Sequence, residues 1–221
     1  MVKVKICGIQ TPEHALIAAE AGADFIGIVF VPYRRRHVSR DQGHSIVNYI
    51  KSQHLSHIKL VGLFADQSVD DVNDIATHCN LDMVQLCGRE SLYYCSQMPV
   101  PVIKVVHISG GPQTHETLNS LTENLKSLRD QHHVVTLDRK VKGLDGGTGT
   151  SFDWGIAKEL SINGYSFFLA GGLRLDNVTL AIKIAKPLGV DVSSGVETGG
   201  VKDPEKIKRF IDEAKGQRSQ T

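Results

Sequence analysis

The 221-residue sequence predicts an α/β fold, a single (β/α)8 TIM barrel with eight parallel strands over residues 1–215. Three observations predict it. Short β-rich runs alternate with helical stretches eight times, almost from end to end. Several of the runs, residues 25–31 among them, are continuously apolar, as parallel strands covered on both faces must be. The last two runs stop abruptly at small residues, Leu169-Ala170-Gly171-Gly172-Leu173 and Val192-Ser193-Ser194-Gly195, and a helical pattern follows each. Eight such units in a chain of this length is the arithmetic of a barrel, with a doubly wound open sheet as the alternative.

The elements follow in order. A strand over 2–6 leads to a helix over 12–21, with Thr11 as N-cap and Glu13 in its first turn. The apolar strand 25–31 passes through an arginine-rich loop to a helix over 40–51, capped by Ser39. Strand 58–64 precedes helix 69–79, capped by Ser68, and strand 83–86 precedes a short helix around 91–96. Strand 102–106 is followed by a polar stretch and a helix around 115–128. Strand 133–137 leads through a glycine loop to a helix over 152–160. Strand 166–169 precedes helix 175–184, and strand 190–192 precedes helix 204–214, with Asp203 as N-cap and Pro204 at the first helical position. Residues 216–221 form a polar tail, expected to fray.

Composition narrows the function classes. A net charge of +1 gives no polyelectrolyte pull toward nucleic acid or a membrane surface. The apolar run 25–31 is too short to span a bilayer, and the first residues alternate charged and apolar side chains instead of forming a signal peptide. The four cysteines lack C-x-x-C spacing, which suits free thiols in a reducing compartment, the cytoplasm by default. None of the ten histidines falls in a metal-ligand pattern, so no metal site is expected. A monomer is favoured over a homodimer.

Barrel chemistry sits at the C-terminal ends of strands, so candidates are sought there. The turns at Gly171-Gly172 and at Ser193-Ser194-Gly195 leave backbone amides bare before a helix start, a phosphate cradle built twice. Cys7 ends the first strand, as a base or nucleophile if its thiolate faces the mouth, or as a buried apolar filler. The run Arg34-Arg35-Arg36 lies in the second strand's loop, where an arginine suits a carboxylate or phosphate and a solvated face is the alternative. Gln85 and Cys87 share one face of the fourth strand, Cys87 reading more readily as structural than as a substrate contact. Asp138 ends an apolar strand; partial burial would raise its pKa and keep a proton for general acid work, whereas a cap would leave it ordinary. The glycines of loop 142–150 would permit a mobile lid, with a plain linker as the alternative.

These residues recur in order in a known family. Lys5-Ile6-Cys7-Gly8, Arg36-His37-Val38-Ser39, Val84-Gln85-Leu86, Leu137-Asp138, Gly146-Gly147-Thr148-Gly149 with Phe152-Asp153-Trp154, Leu169-Ala170-Gly171-Gly172-Leu173 and the stretch Gly189 to Glu197 resemble the phosphoribosylanthranilate isomerase family of tryptophan biosynthesis. The resemblance covers the whole length. It implies an aldose–ketose isomerase that performs an Amadori rearrangement, with a phosphosugar as substrate and neither metal nor organic cofactor. It further implies Asp138 as general acid, Cys7 as general base, Arg36 on the anthranilate carboxylate, and Gly171, Gly172, Ser193, Ser194 and Gly195 on the phosphate. The chain departs from the family at Cys87, where a histidine is usual, and at Arg34-Arg35, where Ser-Pro commonly precedes the arginine. A neighbouring phosphosugar barrel enzyme would carry an aspartate or lysine in place of Cys7. A non-catalytic phosphosugar-binding barrel would need the cradle but neither Cys7 nor Asp138.

Overall fold

The computed structural model describes residues 1–109, 115–140 and 154–216. The glycine loop 142–150, residues Phe152 and Asp153, and the tail from 217 onward lie outside the described residues. Strands β1 (Lys3–Cys7), β2 (Phe25–Val29), β3 (Lys59–Phe64), β4 (Met83–Leu86), β5 (Val102–Ser109), β6 (Val134–Lys140), β7 (Phe168–Leu169) and β8 (Gly189–Val192) close into one barrel in chain order. Every barrel pairing is parallel, and β8 returns to β1 with Lys5 opposite Asp191. Closure excludes the open sheet. The helices are α1 (Pro12–Glu20), α2 (Arg40–Ser52), α3 (Val69–His78), α4 (Leu92–Cys95), α5 (His115–Asp130), α6 (Trp154–Ile162), α7 (Val178–Ala185) and α8 (Pro204–Lys215). Between β8 and α8 stand a 3-10 turn, Ser194–Val196, and a small hairpin of β9 (Glu197–Thr198) and β10 (Val201–Lys202).

The strand period of two divides the buried side chains into an outer and an inner set. Val4, Ile6, Ile26, Ile28, Val84, Leu86 and Leu137 belong to the large apolar layer shared with the helices. Cys7, Val29, Val61, Leu63 and Ile103 form a separate, smaller cluster, with Cys87 and Val134 packed against it. This inner cluster is small because polar groups fill the rest of the interior: Lys5, Gln85, Thr136 and Asp191 are all buried.

The expected N-caps at Thr11, Ser39, Ser68 and Asp203 are in place. Thr11 accepts from the His14 amide at 3.3 Å, and Ser68 from the Asp71 amide at 3.1 Å. Ser39 and Gln42 form a reciprocal capping box, and Asp203 accepts from the Glu205 and Lys206 amides. Each cap contributes about 1 kcal/mol.

Several boundaries differ from expectation, β2 among them, which ends at Val29 instead of 31. β5 and β6 run past the apolar residues because their ladder continues from Ile103 opposite Val134 to Ser109 opposite Lys140. His107 and Asp138 therefore lie inside strands, and their polarity marks the approach to the barrel mouth, not a strand end. α7 begins at Val178, not 175, because the turn before it uses the Asn177 side chain, which accepts from the Arg174 amide at 2.8 Å and donates to the Gly172 carbonyl at 3.0 Å. β7 begins at Phe168, not 166, since only Phe168 and Leu169 pair with β6 and β8, and the backbone turns after it at Gly171 and Gly172, with φ of 84° and 78°. Among the described residues, no helix is long and apolar enough to cross a membrane.

Candidate active site

The interior at the C-terminal end of the strands is where the inward-facing polar groups gather. Cys7 closes β1, and its thiol lies against the bare Cα of Gly27 on β2, where an added Cβ would sit 3.1 Å from Sγ. Burial pushes the Cys7 thiol above its usual pKa, and Lys5 is the strongest group opposing that rise. Lys5 precedes Cys7 by two residues and so shares its face. Its ammonium, 1% exposed, pairs with Asp191 at 2.8 Å. Burial alone would lower the Lys5 pKa, but the adjacent Asp191 carboxylate together with Cys7 and Cys87 outweighs this and raises it. The other carboxylate oxygen of Asp191, Oδ1, is buried and has no hydrogen-bond partner among the described residues.

Asp138 faces the same interior from β6, in register with His107 on β5. Burial raises its carboxyl above the usual range, against a 2.7 Å bond from the Arg139 amide and the nearby His107. Lys5 and Asp191 act electrostatically on both Cys7 and Asp138, so one buried ion pair stands between thiol and carboxyl. Gly171 gives the carboxyl its room: a Cβ there would lie 2.9 Å from Asp138 Oδ1. Cys87 points inward below His107, whose Nε2 meets the Cys87 carbonyl at 3.0 Å. Burial pushes the Cys87 thiol up to about 12, and Gln85 donates to its sulfur at 3.6 Å. These contacts fit the structural reading of Cys87.

The two glycine turns touch. Gly195 packs so closely on the Leu173 carbonyl that a Cβ at 195 has no space. Ser193 Oγ donates to the Cys7 carbonyl at 3.0 Å, which ties this turn to the end of β1. Ser194 and Gly195 open the 3-10 turn, whose first amides have no partner within the turn. The amides of Gly172 and Leu173 are likewise without a partner among the described residues. Gly195→Ala is expected to force the turns apart and raise KM for a phosphorylated substrate roughly tenfold, the equivalent of one charge-assisted hydrogen bond. Steady-state kinetics check this, and an unchanged KM would remove the contact from substrate binding.

Arg36 comes from the loop after β2, its stem packed over Gly8. Its Nε and Nη2 donate to the two carboxylate oxygens of Glu197 at 2.5 and 3.0 Å. Arg35 reaches the same carboxylate at 2.5 Å and Lys202 at 2.7 Å. Burial would raise the Glu197 pKa, but the bonds from Arg36, Lys202 and Arg35 hold it at about 2. Of the three arginines, Arg36 is the least exposed and Arg34 lies at the surface.

Sequence reasoning singled out Cys7, Arg36, Asp138 and both turns but missed Lys5, His107, Asp191, Glu197 and Lys202. A signal existed for Lys5, which must share the face of Cys7 and therefore needs a buried partner. His107 was hidden by the early end assigned to its strand.

Fold and mouth together place the molecule among the (β/α)8 enzymes that move protons on small anionic substrates. Within that class, the chain belongs to the N-(5'-phosphoribosyl)anthranilate (PRA) isomerase family, whose model matches residues 4–213. It is similar to the N-(5'-phosphoribosyl)anthranilate isomerase of Dehalococcoides mccartyi, 44% identical over 215 residues that cover 97% of this chain and 96% of the relative. The crystal structure of the Thermotoga maritima phosphoribosyl anthranilate isomerase matches with a TM-score of 0.82 at 34% identity, covering 98% of this chain and 100% of the other. A phosphoribosyl anthranilate isomerase in complex with reduced 1-(o-carboxyphenylamino)-1-deoxyribulose 5-phosphate matches with a TM-score of 0.79 at 32% identity, covering 98% and 100%.

Proposed function

We propose that Cys7 and Asp138 carry out the family's reaction in this chain, the Amadori rearrangement of N-(5'-phosphoribosyl)anthranilate to 1-(2-carboxyphenylamino)-1-deoxyribulose 5-phosphate, a step of tryptophan biosynthesis. The observation that carries this reading is the shared interior: a thiol on β1 and a carboxyl of raised pKa on β6, both beside the Lys5–Asp191 pair.

Asp138 gives its proton to the ribose ring oxygen as the bond from that oxygen to C1′ breaks. The anthranilate nitrogen supplies its lone pair, and an iminium forms. The Cys7 thiolate then takes the C2′ proton. The C–H electron pair becomes the C1′–C2′ double bond, and the iminium pair returns to nitrogen. The resulting enolamine tautomerises to the ketone. The iminium is the electron sink for proton abstraction, and fixed geometry makes each transfer effectively intramolecular. The turns at Gly171-Gly172 and Ser193-Ser194-Gly195 hold the phosphate through backbone amides, and Arg36 holds the anthranilate carboxylate through Nη1, the donor nitrogen not bonded to Glu197. All the proposed reacting groups come from one chain, so a monomer suffices for the chemistry.

Freshly made phosphoribosylanthranilate, followed by anthranilate fluorescence, tests the activity. A fluorescence change proportional to enzyme is expected, and no change at any enzyme concentration would sink the reading. The arginine assignment has its own test. Arg36→Ala should raise KM roughly tenfold or more, as loss of a charged hydrogen bond does, while Arg34→Ala leaves it near the parent value. Equal effects would reduce the loop to a general basic patch.

A further inference from the structure

We infer that Glu197 is a positioning residue for substrate recognition: by binding Nε and Nη2 of Arg36 with both carboxylate oxygens, it turns the remaining donor edge of the guanidinium toward the substrate's carboxylate. The inference rests on the assignment of the anthranilate carboxylate to Arg36.

The geometry restricts Arg36 strongly. A bidentate pair fixes both the plane and the rotation of a guanidinium, which a single contact would leave free. Glu197 is itself buried, its side chain 5% exposed, so the pair is not a solvated surface contact. Its carboxylate is in turn held by Lys202, 3% exposed, at 2.7 Å, and by Arg35. Arg35 also donates to the Gly200 carbonyl at 2.6 Å, so the β9–β10 hairpin is strapped to the β2 loop from outside. Three cations thus surround one carboxylate, and the cluster carries a positive surplus. Arg35 is half exposed and solvated, but Arg36 and Lys202 are largely withdrawn from water beside a single carboxylate, and an incoming carboxylate offsets their excess charge.

The same cluster reaches the phosphate side of the mouth. Lys202 donates to the Ser193 carbonyl at 2.9 Å, and Ser193 donates to the Cys7 carbonyl at 3.0 Å. Glu197 therefore links the arginine loop to the β8 turn through one intervening lysine. Its role is orientation, since it meets Arg36 and Lys202 and reacts with nothing.

A substrate comparison separates positioning from structural support. Steady-state constants are measured for phosphoribosylanthranilate and for the analogue made from aniline, which lacks the carboxylate. Glu197→Gln is expected to raise KM for the carboxylated substrate roughly tenfold, with kcat changed less than about threefold and the aniline analogue almost unaffected. Glu197→Asp should recover part of the loss. The Glu197→Gln/Lys202→Met double variant removes the lysine left without its partner and should show the same substrate discrimination if the single variant folds poorly. Equal losses for both substrates would overturn the inference, as would no loss for either. Arg36→Ala distinguishes the two levels. If it too fails to discriminate between the substrates, the assignment of the carboxylate to Arg36 falls. If Arg36→Ala discriminates and Glu197→Gln does not, only the positioning role falls.

Discussion

Cys7→Ala and Asp138→Ala are each expected to lower kcat by roughly 10²-fold or more, the scale of a lost general base or acid. Each variant should keep its circular dichroism spectrum, because neither side chain belongs to the large apolar layer between barrel and helices. Near-normal turnover in either variant would remove that residue from the mechanism. The pH profile adds a sharper constraint. Burial penalises the anion of both groups, so both titrate above their ordinary values. The reaction needs Asp138 protonated and Cys7 as thiolate, which is one tautomer of the singly protonated pair. The profile of kcat/KM should therefore plateau between two limbs. The acid limb lies above the ordinary carboxyl value and the alkaline limb above the ordinary thiol value of about 8.5. Asp138→Asn, which is neutral at every pH, should remove the alkaline limb and leave activity that rises with pH through the raised Cys7 value alone. An alkaline limb that persists unchanged would belong to another group.

The barrel was legible because it depends on local signals repeated eight times: apolar runs, N-caps and turn residues. The caps at Thr11, Ser39, Ser68 and Asp203 are side-chain chemistry within three residues, which a sequence displays directly. The site was legible where one residue carries the meaning, as at Cys7, or where backbone geometry demands glycine, as at Gly171. It was not legible where meaning lies in a pairing across strands. Lys5 and Asp191 are 186 positions apart and become partners only when β8 closes onto β1. Glu197 and Arg36 are 161 apart, joined by the same closure. His107 reads as polar and hence as loop until its pairing with β6 extends the strand beneath it. Local pattern thus displayed the frame and the proposed reactive atoms, while the electrostatic partners required the closed barrel.

The Lys5–Asp191 pair is where that closure is expected to have its largest energetic effect. Both side chains are almost fully withdrawn from water, 1% and 7% exposed, and their contact is 2.8 Å. Removing one partner leaves a charge stranded inside the barrel, which costs about 3–5 kcal/mol. Lys5→Met should accordingly lower Tm on the order of 10 °C for a domain of this size. Asp191→Leu, which strands the ammonium instead, should do comparable damage. The double variant Lys5→Met/Asp191→Leu should regain most of the loss, because replacing a whole buried pair by apolar groups is often neutral. The pH dependence has a definite sign. Lys5 is raised in the fold, so its stabilisation is fully present below its unfolded value of about 10.4 and fades only as pH rises through the higher folded value. The Tm difference between parent and Lys5→Met should therefore receive no pH dependence from Lys5 between about pH 6 and 9. Thermal unfolding of the four proteins measures the cycle. Additive losses in the double variant would mean that the two groups act independently, and that the barrel interior admits enough water to solvate each alone.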